Sequence, residues 1–129
     1  MFLYARKCKF QAEAVQPEWL QKGYFTMKKI INGKKYDTET ARECFQYQHG
    51  NTYVDREHAY TEVLYRKRTG EFFLHGWGGR LSKYGRLDER RCLYSVEEIL
   101  PMSETEAKVW AECHMDGDEY ETLFGEVEE

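Results

Sequence analysis

The sequence predicts an α+β fold: an antiparallel β-sheet of about five or six strands with short helices, two of them at the C-terminus. Three observations lead to this prediction. Residues 60–75 alternate with the period of two that is typical of strands, Asn32-Gly33 is a strong hairpin signal, and residues 103–106 (SETE) form a helix capping box. Strands joined by short turns pair in antiparallel fashion, and helices grouped at one end of such a chain pack on the sheet.

The first third of the chain is predicted to hold short strands and one helix. Residues 1–10 are predicted to form a strand, and residues 17–23 one or two helical turns. A hairpin follows, with residues 24–31 and 34–36 as its arms, because Asn and Gly both tolerate the positive φ of the turn. Residues 37–45 are then predicted to form a short helix, since Asp37 or Thr38 could cap its first turn.

The central hairpin is predicted to end in a sharp corner. Thr69-Gly70 supplies the hairpin turn, and Gly76-Trp77-Gly78-Gly79 is expected to terminate the returning strand, because glycines remove the side chains with which a sheet packs. Residues 80–92 are predicted to be a loop or a ragged edge. Residues 93–100 form another predicted strand, which Pro101 is expected to stop.

Two helices are predicted at the C-terminus. Ser103 begins the first, whose buried face is expected to carry Ala107, Trp110 and Ala111. Asp116 can cap the second, predicted over residues 118–124 and ended by Gly125.

Composition indicates a folded protein in a reducing compartment. The 129 residues contain 41% hydrophobic and 16% aromatic residues, which predicts a single domain over 1–129 and argues against disorder. The stretch from Met27 onward reads like the beginning of a protein, so residues 1–26 are predicted to be an N-terminal extension. The charged N-terminus does not resemble a signal peptide, no apolar run approaches the ~20 residues of a membrane span, and the four cysteines are scattered. These features predict a soluble, cytoplasmic protein with reduced thiols.

The chain lacks the motifs of the common catalytic and cofactor sites. It contains no phosphate loop, no G-x-S-x-G elbow, no zincin helix and no dinucleotide fingerprint. Cys113 and His114 are adjacent, so on a helix they point in different directions and chelate a metal together poorly. We therefore expect no catalytic residue, no metal and no cofactor.

A net charge of −4 conceals a strong asymmetry. Residues 66–91 carry eight Lys or Arg against three Asp or Glu, and they interleave these charges with Trp77 and Tyr84. Such a composition is typical of single-strand nucleic-acid surfaces, for which the candidate residues are Arg66, Lys67, Arg68, Arg80 and Lys83. The alternative is a solvated hairpin whose charged edge residues prevent aggregation.

The C-terminal third is acidic. Residues 97–129 carry twelve Asp or Glu and one Lys, so this segment could imitate a phosphate array and occupy the basic groove of a partner protein. The alternative is a pair of ordinary amphipathic helices with solvated outer faces.

Three separated segments resemble one family. They read KKIINGKKYDTETA (28–41), LYRKRTGEFFLHGWGG (64–79) and LPMSETEAKVWAECHMDGDEYETLFGEVEE (100–129), with SKY at 82–84 between the last two. Together they are similar to short proteins of plasmids, conjugative elements and phages of Gram-positive bacteria, some of which resemble anti-CRISPR proteins against type II (Cas9) systems.

The resemblance implies an anti-defence inhibitor, not an enzyme, that binds a Cas9-like effector protein or its guide RNA in the bacterial cytoplasm and blocks guide or target engagement. Its expected partner-binding residues are the acidic Asp116, Asp118, Glu119 and Glu121, with Trp77 as an aromatic anchor. The alternative is a protein of a mobile element that binds RNA or single strands through the basic hairpin. A third hypothesis is a guide-RNA nuclease, for which the carboxylates of Glu62, Glu71 and Asp88 near His75 and Lys83 are the available groups.

Overall fold

A computed structural model describes residues 26–129 of the chain. The chain divides into two units, residues 1–39 and residues 40–129. The predicted strand over 1–10 and the predicted helical turns over 17–23 lie outside the described residues, as does nearly all of the predicted extension over 1–26. A single domain over 1–129 therefore stays a prediction.

The described part of the first unit is a β-hairpin. Strand β1 (Lys28–Ile31) pairs with strand β2 (Lys34–Asp37) in antiparallel register. The two turn residues have positive φ, 52° at Asn32 and 79° at Gly33, as the Asn-Gly signal predicted. The hairpin and its turn are confirmed, although Thr26 and Met27 of the predicted first arm are not part of the strand.

The second unit contains a four-stranded antiparallel sheet, a two-stranded sheet and two helices. The strands are β3 (Arg42–His49), β4 (Tyr60–Arg66), β5 (Phe72–Gly78), β6 (Gly85–Leu87), β7 (Leu93–Ser95) and β8 (Glu97–Met102). The larger sheet has the order β3-β4-β5-β8, and β6 pairs with β7. Helices α1 (Glu104–His114) and α2 (Gly117–Phe124) follow. The α+β class with two C-terminal helices is confirmed.

The hairpin of β4 and β5 forms the centre of the larger sheet. The backbone N–H of Lys67 donates to the carbonyl of Glu71 at 2.7 Å, and Gly70 has a φ of 97° in the turn between the strands. Tyr65 and Phe73 lie opposite each other, with their rings stacked 5.2 Å apart. Aromatic cross-strand pairs of this kind stabilise an antiparallel pair and hold its register.

The predicted helix over 37–45 is wrong, because most of this segment leads into and forms β3. The side chain of Asp37 accepts a hydrogen bond from the N–H of Glu39 at 2.9 Å, so the expected cap closes a turn instead of starting a helix. Residues 42–49 pair with β4, with a bulge between Glu43 and Phe45. The ring of Phe45 packs edge-on against Trp110 at 6.2 Å, so a contact distant in sequence outweighs the local capping signal.

The predicted corner at Gly76–Gly79 is also wrong, since β5 continues through Gly78. A Cβ atom at position 76 would overlap the hydroxyl of Tyr84, and one at 78 would lie 2.5 Å from the Cβ of Tyr60. These glycines therefore make room for side chains that cross the strand. They do not end it.

The predicted strand over 93–100 is two strands, β7 and β8, separated at Val96. The N–H of Val96 donates to the carbonyl of Tyr84 at 2.9 Å. At Val96 the chain leaves the two-stranded sheet and enters the four-stranded sheet. Pro101 lies inside β8 and does not stop it, because β8 is an edge strand, where a missing N–H donor is tolerated. Strand β6 occupies part of the predicted loop over 80–92.

The helices cover one face of the larger sheet. Ser103 and Glu106 form the predicted capping box at the start of α1, and the buried residues of α1 are the predicted Ala107, Trp110 and Ala111. The core cluster on this face joins Leu64, Phe72 and Leu74 of the sheet to Ala107 and Trp110 of α1, with Leu123 and Phe124 of α2 packed against it. Burial of this apolar surface holds both helices on the sheet.

Candidate functional site

The exposed carboxylates of residues 104–129 form a surface that we call the acidic helical surface. Ten Asp or Glu lie in this segment, and all of them except Glu119 are exposed. Lys108 is the one Lys or Arg of the segment, and its ammonium group lies 3.4 Å from the carboxylate of Glu104. The surface therefore carries a large uncompensated negative charge.

A cavity of about 460 Å³ opens within the acidic helical surface, where α1 ends and α2 begins. Three of the four predicted acidic residues line it, together with one that the sequence analysis missed: Asp116, Asp118, Glu121 and the additional Glu112. Met115, Tyr120 and Val127 supply apolar walls. The predicted Glu119 is not among the lining residues.

Two of the predicted acidic residues stabilise the start of α2. The carboxylate of Asp116 accepts from the N–H of Glu119 at 2.8 Å, and the carboxylate of Glu119 accepts from the N–H of Asp116 at 3.1 Å. This capping box satisfies backbone donors that the first helical turn leaves without partners. Asp116 and Glu119 therefore have a structural role whatever the surface binds.

Two other carboxylates of the cavity are available to a partner. Among the described residues, the side chains of Glu112 and Asp118 have no hydrogen-bond or ion-pair partner. Glu121 is only partly available, because its carboxylate already accepts one hydrogen bond from the N–H of Val127 at 3.1 Å. A change of charge at Glu112 or Asp118 therefore leaves the hydrogen bonds of the α2 capping box in place.

Trp77 does not project from a corner. It lies within β5, its side chain is partly buried, and its ring centroid is 4.8 Å from that of His75. Its role as a partner anchor stays a prediction, but the geometry that was expected to present it to a partner is absent from the described residues.

A different aromatic residue is far more exposed. Tyr53 is 97% exposed and Val54 is 82% exposed in the loop that connects β3 to β4. The side chain of Asn51 accepts from the backbone N–H of both residues, at 2.7 and 3.3 Å, so the turn that presents them is ordered by hydrogen bonds. The sequence offered no signal for this, because residues 53–57 follow no helical or strand period.

The structure places the five predicted basic residues in two separate groups. Arg66, Lys67 and Arg68 lie where β4 enters its hairpin turn and line a cavity of about 390 Å³ with Thr40, Ala41 and Arg42. Arg42 was not predicted, yet it lies directly across the strands from Arg66. We call these four basic residues the basic tip.

Arg80 and Lys83 form the second group, after the opposite end of β5. Each has a carboxylate partner: Arg80 pairs with Glu57 at 2.8 Å, and Lys83 pairs with Glu62 at 2.8 Å. A single nucleic-acid surface over all five residues is therefore not what the structure presents.

Glu62 is the centre of a buried polar network. Its side chain is fully buried and accepts hydrogen bonds from the hydroxyl of Tyr84 at 2.7 Å and from the indole N–H of Trp110 at 2.9 Å. The ammonium group of Lys83 also lies 5.1 Å from the ring centroid of Tyr60, within reach of a cation–π interaction. The network connects β4, the segment after β5 and α1.

The network shifts the pKa of two of its members. Burial raises the pKa of the Glu62 carboxyl, but the hydrogen bonds from Lys83, Trp110 and Tyr84 together outweigh burial and hold that pKa below its ordinary value. Burial, followed by the hydrogen bond to Glu62, raises the pKa of the Tyr84 hydroxyl. Glu62 is therefore an ionised acceptor that ties α1, and with it the acidic helical surface, to the sheet.

The groups proposed for a nuclease do not converge. Glu62 meets Lys83, but the imidazole of His75 lies on the opposite face of the sheet, where its Nε2 is 2.6 Å from the carboxylate of Glu97. Glu71 pairs with Lys67 in the hairpin turn at 2.8 Å, and the carboxylate of Asp88 accepts from backbone N–H groups of its own turn. Within residues 26–129, no group of three or more His, Cys, Asp or Glu is arranged to hold a metal ion.

No helix in the described part of the chain is long and apolar enough to cross a membrane. Comparison of the chain with protein-family models, with curated proteins and with solved structures found no match.

Proposed function

We propose that this protein is a cytoplasmic, non-enzymatic inhibitor of a bacterial defence system, which binds a Cas9-like CRISPR effector and blocks its engagement of guide or target nucleic acid. The observation that carries the proposal is the acidic helical surface, with nine exposed carboxylates and a cavity lined by four acidic residues. The class of partner is taken from the resemblance of segments 28–41, 64–79, 82–84 and 100–129 that the sequence suggests.

The physical reason is electrostatic complementarity. Effectors of this type hold the guide–target heteroduplex in a positively charged channel and recognise its backbone by geometry and charge. Carboxylates arranged on the surface of a folded protein can compete with nucleic acid for such a channel. They offer its positive charges the same negative charge that phosphate groups do. Asp118 and Glu121, three residues apart on α2, are neighbours on the helix surface at a spacing of roughly 5–6 Å.

An exposed aromatic side chain gives such a surface an apolar anchor. Tyr53 fits this role better than Trp77, because a fully exposed ring can become buried on binding, whereas the Trp77 ring is already partly covered. The loop of Tyr53 leaves β3 at the end where the ring of Tyr47 contacts the ring of His114 in α1, 4.2 Å away. Tyr53 and the acidic cavity therefore lie toward the same end of the larger sheet.

The test is inhibition of target cleavage by a purified Cas9-type effector. The variant is Glu112→Lys with Asp118→Lys, which leaves the capping box of α2 intact. The matched control is Glu39→Lys with Glu89→Lys, which changes the net charge equally at two other exposed positions. We expect the first pair to weaken inhibition at least tenfold, about 1.4 kcal/mol, and the control to inhibit like the wild type.

Two results would contradict the proposal. Full inhibition by the Glu112→Lys/Asp118→Lys variant would exclude the acidic helical surface as the contact. Absence of binding between the wild-type protein and type II effectors, with and without guide, would exclude the partner class. Guide RNA that is shortened after incubation with the protein and a divalent metal would instead indicate nuclease activity.

A further inference from the structure

We propose that the basic tip is a binding site for phosphate groups, occupied by the backbone of a single-stranded nucleic acid. The basic tip consists of Arg42, Arg66, Lys67 and Arg68, and it does not belong to the acidic helical surface. This inference does not depend on the proposed function. That function uses acidic residues to contact a positively charged channel, whereas the basic tip would bind a negatively charged ligand.

The fold brings these charges together from two strands and a turn. Arg42 begins β3 and lies directly opposite Arg66, the last residue of β4, and Arg68 follows in the hairpin turn. Like charges placed opposite each other in an antiparallel pair are destabilising. An anion bound between the two guanidinium groups would remove this repulsion.

Within residues 26–129, no carboxylate lies within ion-pair distance of the three guanidinium groups. Among the described residues, neither Arg42 nor Arg68 has a hydrogen-bond or ion-pair partner for its side chain, and Arg66 contacts only the ring of Phe72, at 5.2 Å. Lys67, by contrast, is paired with Glu71 at 2.8 Å. The cavity therefore keeps three guanidinium groups that form no ion pair with any described residue.

The geometry favours phosphate over other ligands. The cavity of about 390 Å³ lies within the range of ligand sites, and the hydroxyl-bearing Thr40 is part of its wall. Guanidinium groups form paired hydrogen bonds with phosphate oxygens, and several of them together match a ligand that carries more than one negative charge. None of the described residues that line the cavity is aromatic, so the site would contact the backbone and would not stack or read bases.

The experiment measures binding of the full-length protein to a fluorescent 20-nucleotide single-stranded RNA across a series of salt concentrations. The test variant is Arg42→Gln with Arg68→Gln. The matched control is Arg90→Gln with Arg91→Gln, two exposed arginines of the β6–β7 turn that carry the same total charge. Circular dichroism establishes that both variants are folded.

Loss of two phosphate contacts has a defined signature. Each phosphate contact to a single strand contributes about 0.7 to the slope of the logarithm of affinity against the logarithm of salt concentration. At about 0.1 M salt, relative to about 1 M, one contact therefore corresponds to a factor of about 5 in affinity. We therefore expect the test variant to bind about 25-fold more weakly than the wild type, with a slope shallower by about 1.4. The control should differ from the wild type by less than threefold.

A second arm distinguishes the source of the phosphate. Titration with inorganic pyrophosphate, followed by calorimetry, reports binding of a free phosphate compound. Binding of pyrophosphate without binding of RNA would retain the phosphate site but overturn the nucleic-acid occupant. Absence of both, or equal losses in the test and control variants, would overturn the inference entirely. Neither result would alter inhibition of the effector through Glu112 and Asp118, so the two proposals fail separately.

Discussion

Replacing Glu62 by Gln is expected to lower the free energy of unfolding by about 2–4 kcal/mol at pH 7. The carboxylate is fully buried and accepts from Tyr84 and Trp110, 2.7 and 2.9 Å away. A glutamine retains the size of the side chain, but its amide N–H₂ group would face one of these two donors, which would lose its acceptor. Lys83 adds less, because its side chain is 52% exposed and water screens its charge.

The assay is chemical denaturation of the purified protein, supported by thermal unfolding, for which the expected fall in Tm is about 8–16 °C. The matched control is Glu104→Gln, which makes the same chemical change in a pair whose glutamate side chain is 68% exposed. This control should stay within about 0.5 kcal/mol of the wild type. Equal stability of the two variants would refute the argument that the buried network holds α1 on the sheet.

The pH dependence gives an independent check on the same residue. Because the pKa of folded Glu62 lies below its ordinary value of 4.5, the unfolded chain takes up the proton first as the pH falls. The stability that Glu62 contributes is therefore fully present above about pH 5 and is lost as the pH falls through the lowered pKa. The difference between the wild type and Glu62→Gln should shrink below pH 4.5. A difference that stays constant down to pH 3 would contradict the assigned direction of the shift.

Two further predictions concern packing and thiol reactivity. Gly76→Ala should destabilise the protein by about 1–3 kcal/mol in denaturant titrations, because the added Cβ meets the Tyr84 hydroxyl. Gly117→Ala, whose Cβ would enter open space, should be neutral or stabilising, and equal losses would contradict the packing argument. Burial raises the pKa of the Cys44 thiol to about 11, so iodoacetamide at pH 8 should alkylate exposed Cys113 at least tenfold faster, as measured by peptide mass spectrometry. Comparable rates would contradict the raised pKa of the Cys44 thiol.

Elements whose stabilising contacts are local could be predicted from the sequence. The hairpin at Asn32-Gly33 depends on the backbone conformations of two residues, and the capping box of Ser103 and Glu106 on hydrogen bonds that span three. The alternation of residues 60–75 likewise identified the central hairpin, because the two faces of a strand meet different surroundings.

The same local reasoning failed where a distant contact was stronger. The capping signal at Asp37 predicted a helix, but pairing with β4 and the packing of Phe45 on Trp110 favour a strand. The glycines of β5 predicted a corner, but the nearest obstacle to a side chain at Gly76 is the hydroxyl of Tyr84. Both of these contacts join residues too far apart in the sequence for a local pattern to include them.

The sequence by itself determined the fold class, the two terminal helices and the separation of a basic central segment from an acidic C-terminal one, because these follow from composition and from hydrogen bonds between near neighbours. Only the tertiary structure decided which charges act together. It joined Glu62 to Tyr84 and Trp110, 22 and 48 residues away, and it placed Arg42 across from Arg66. It also assigned Asp116 and Glu119 to a helix cap, whereas the side chains of Glu112 and Asp118 have no hydrogen-bond or ion-pair partner among the described residues. The reason is physical: whether a charge is paired depends on its neighbours in space, and the pairing of strands chooses those neighbours.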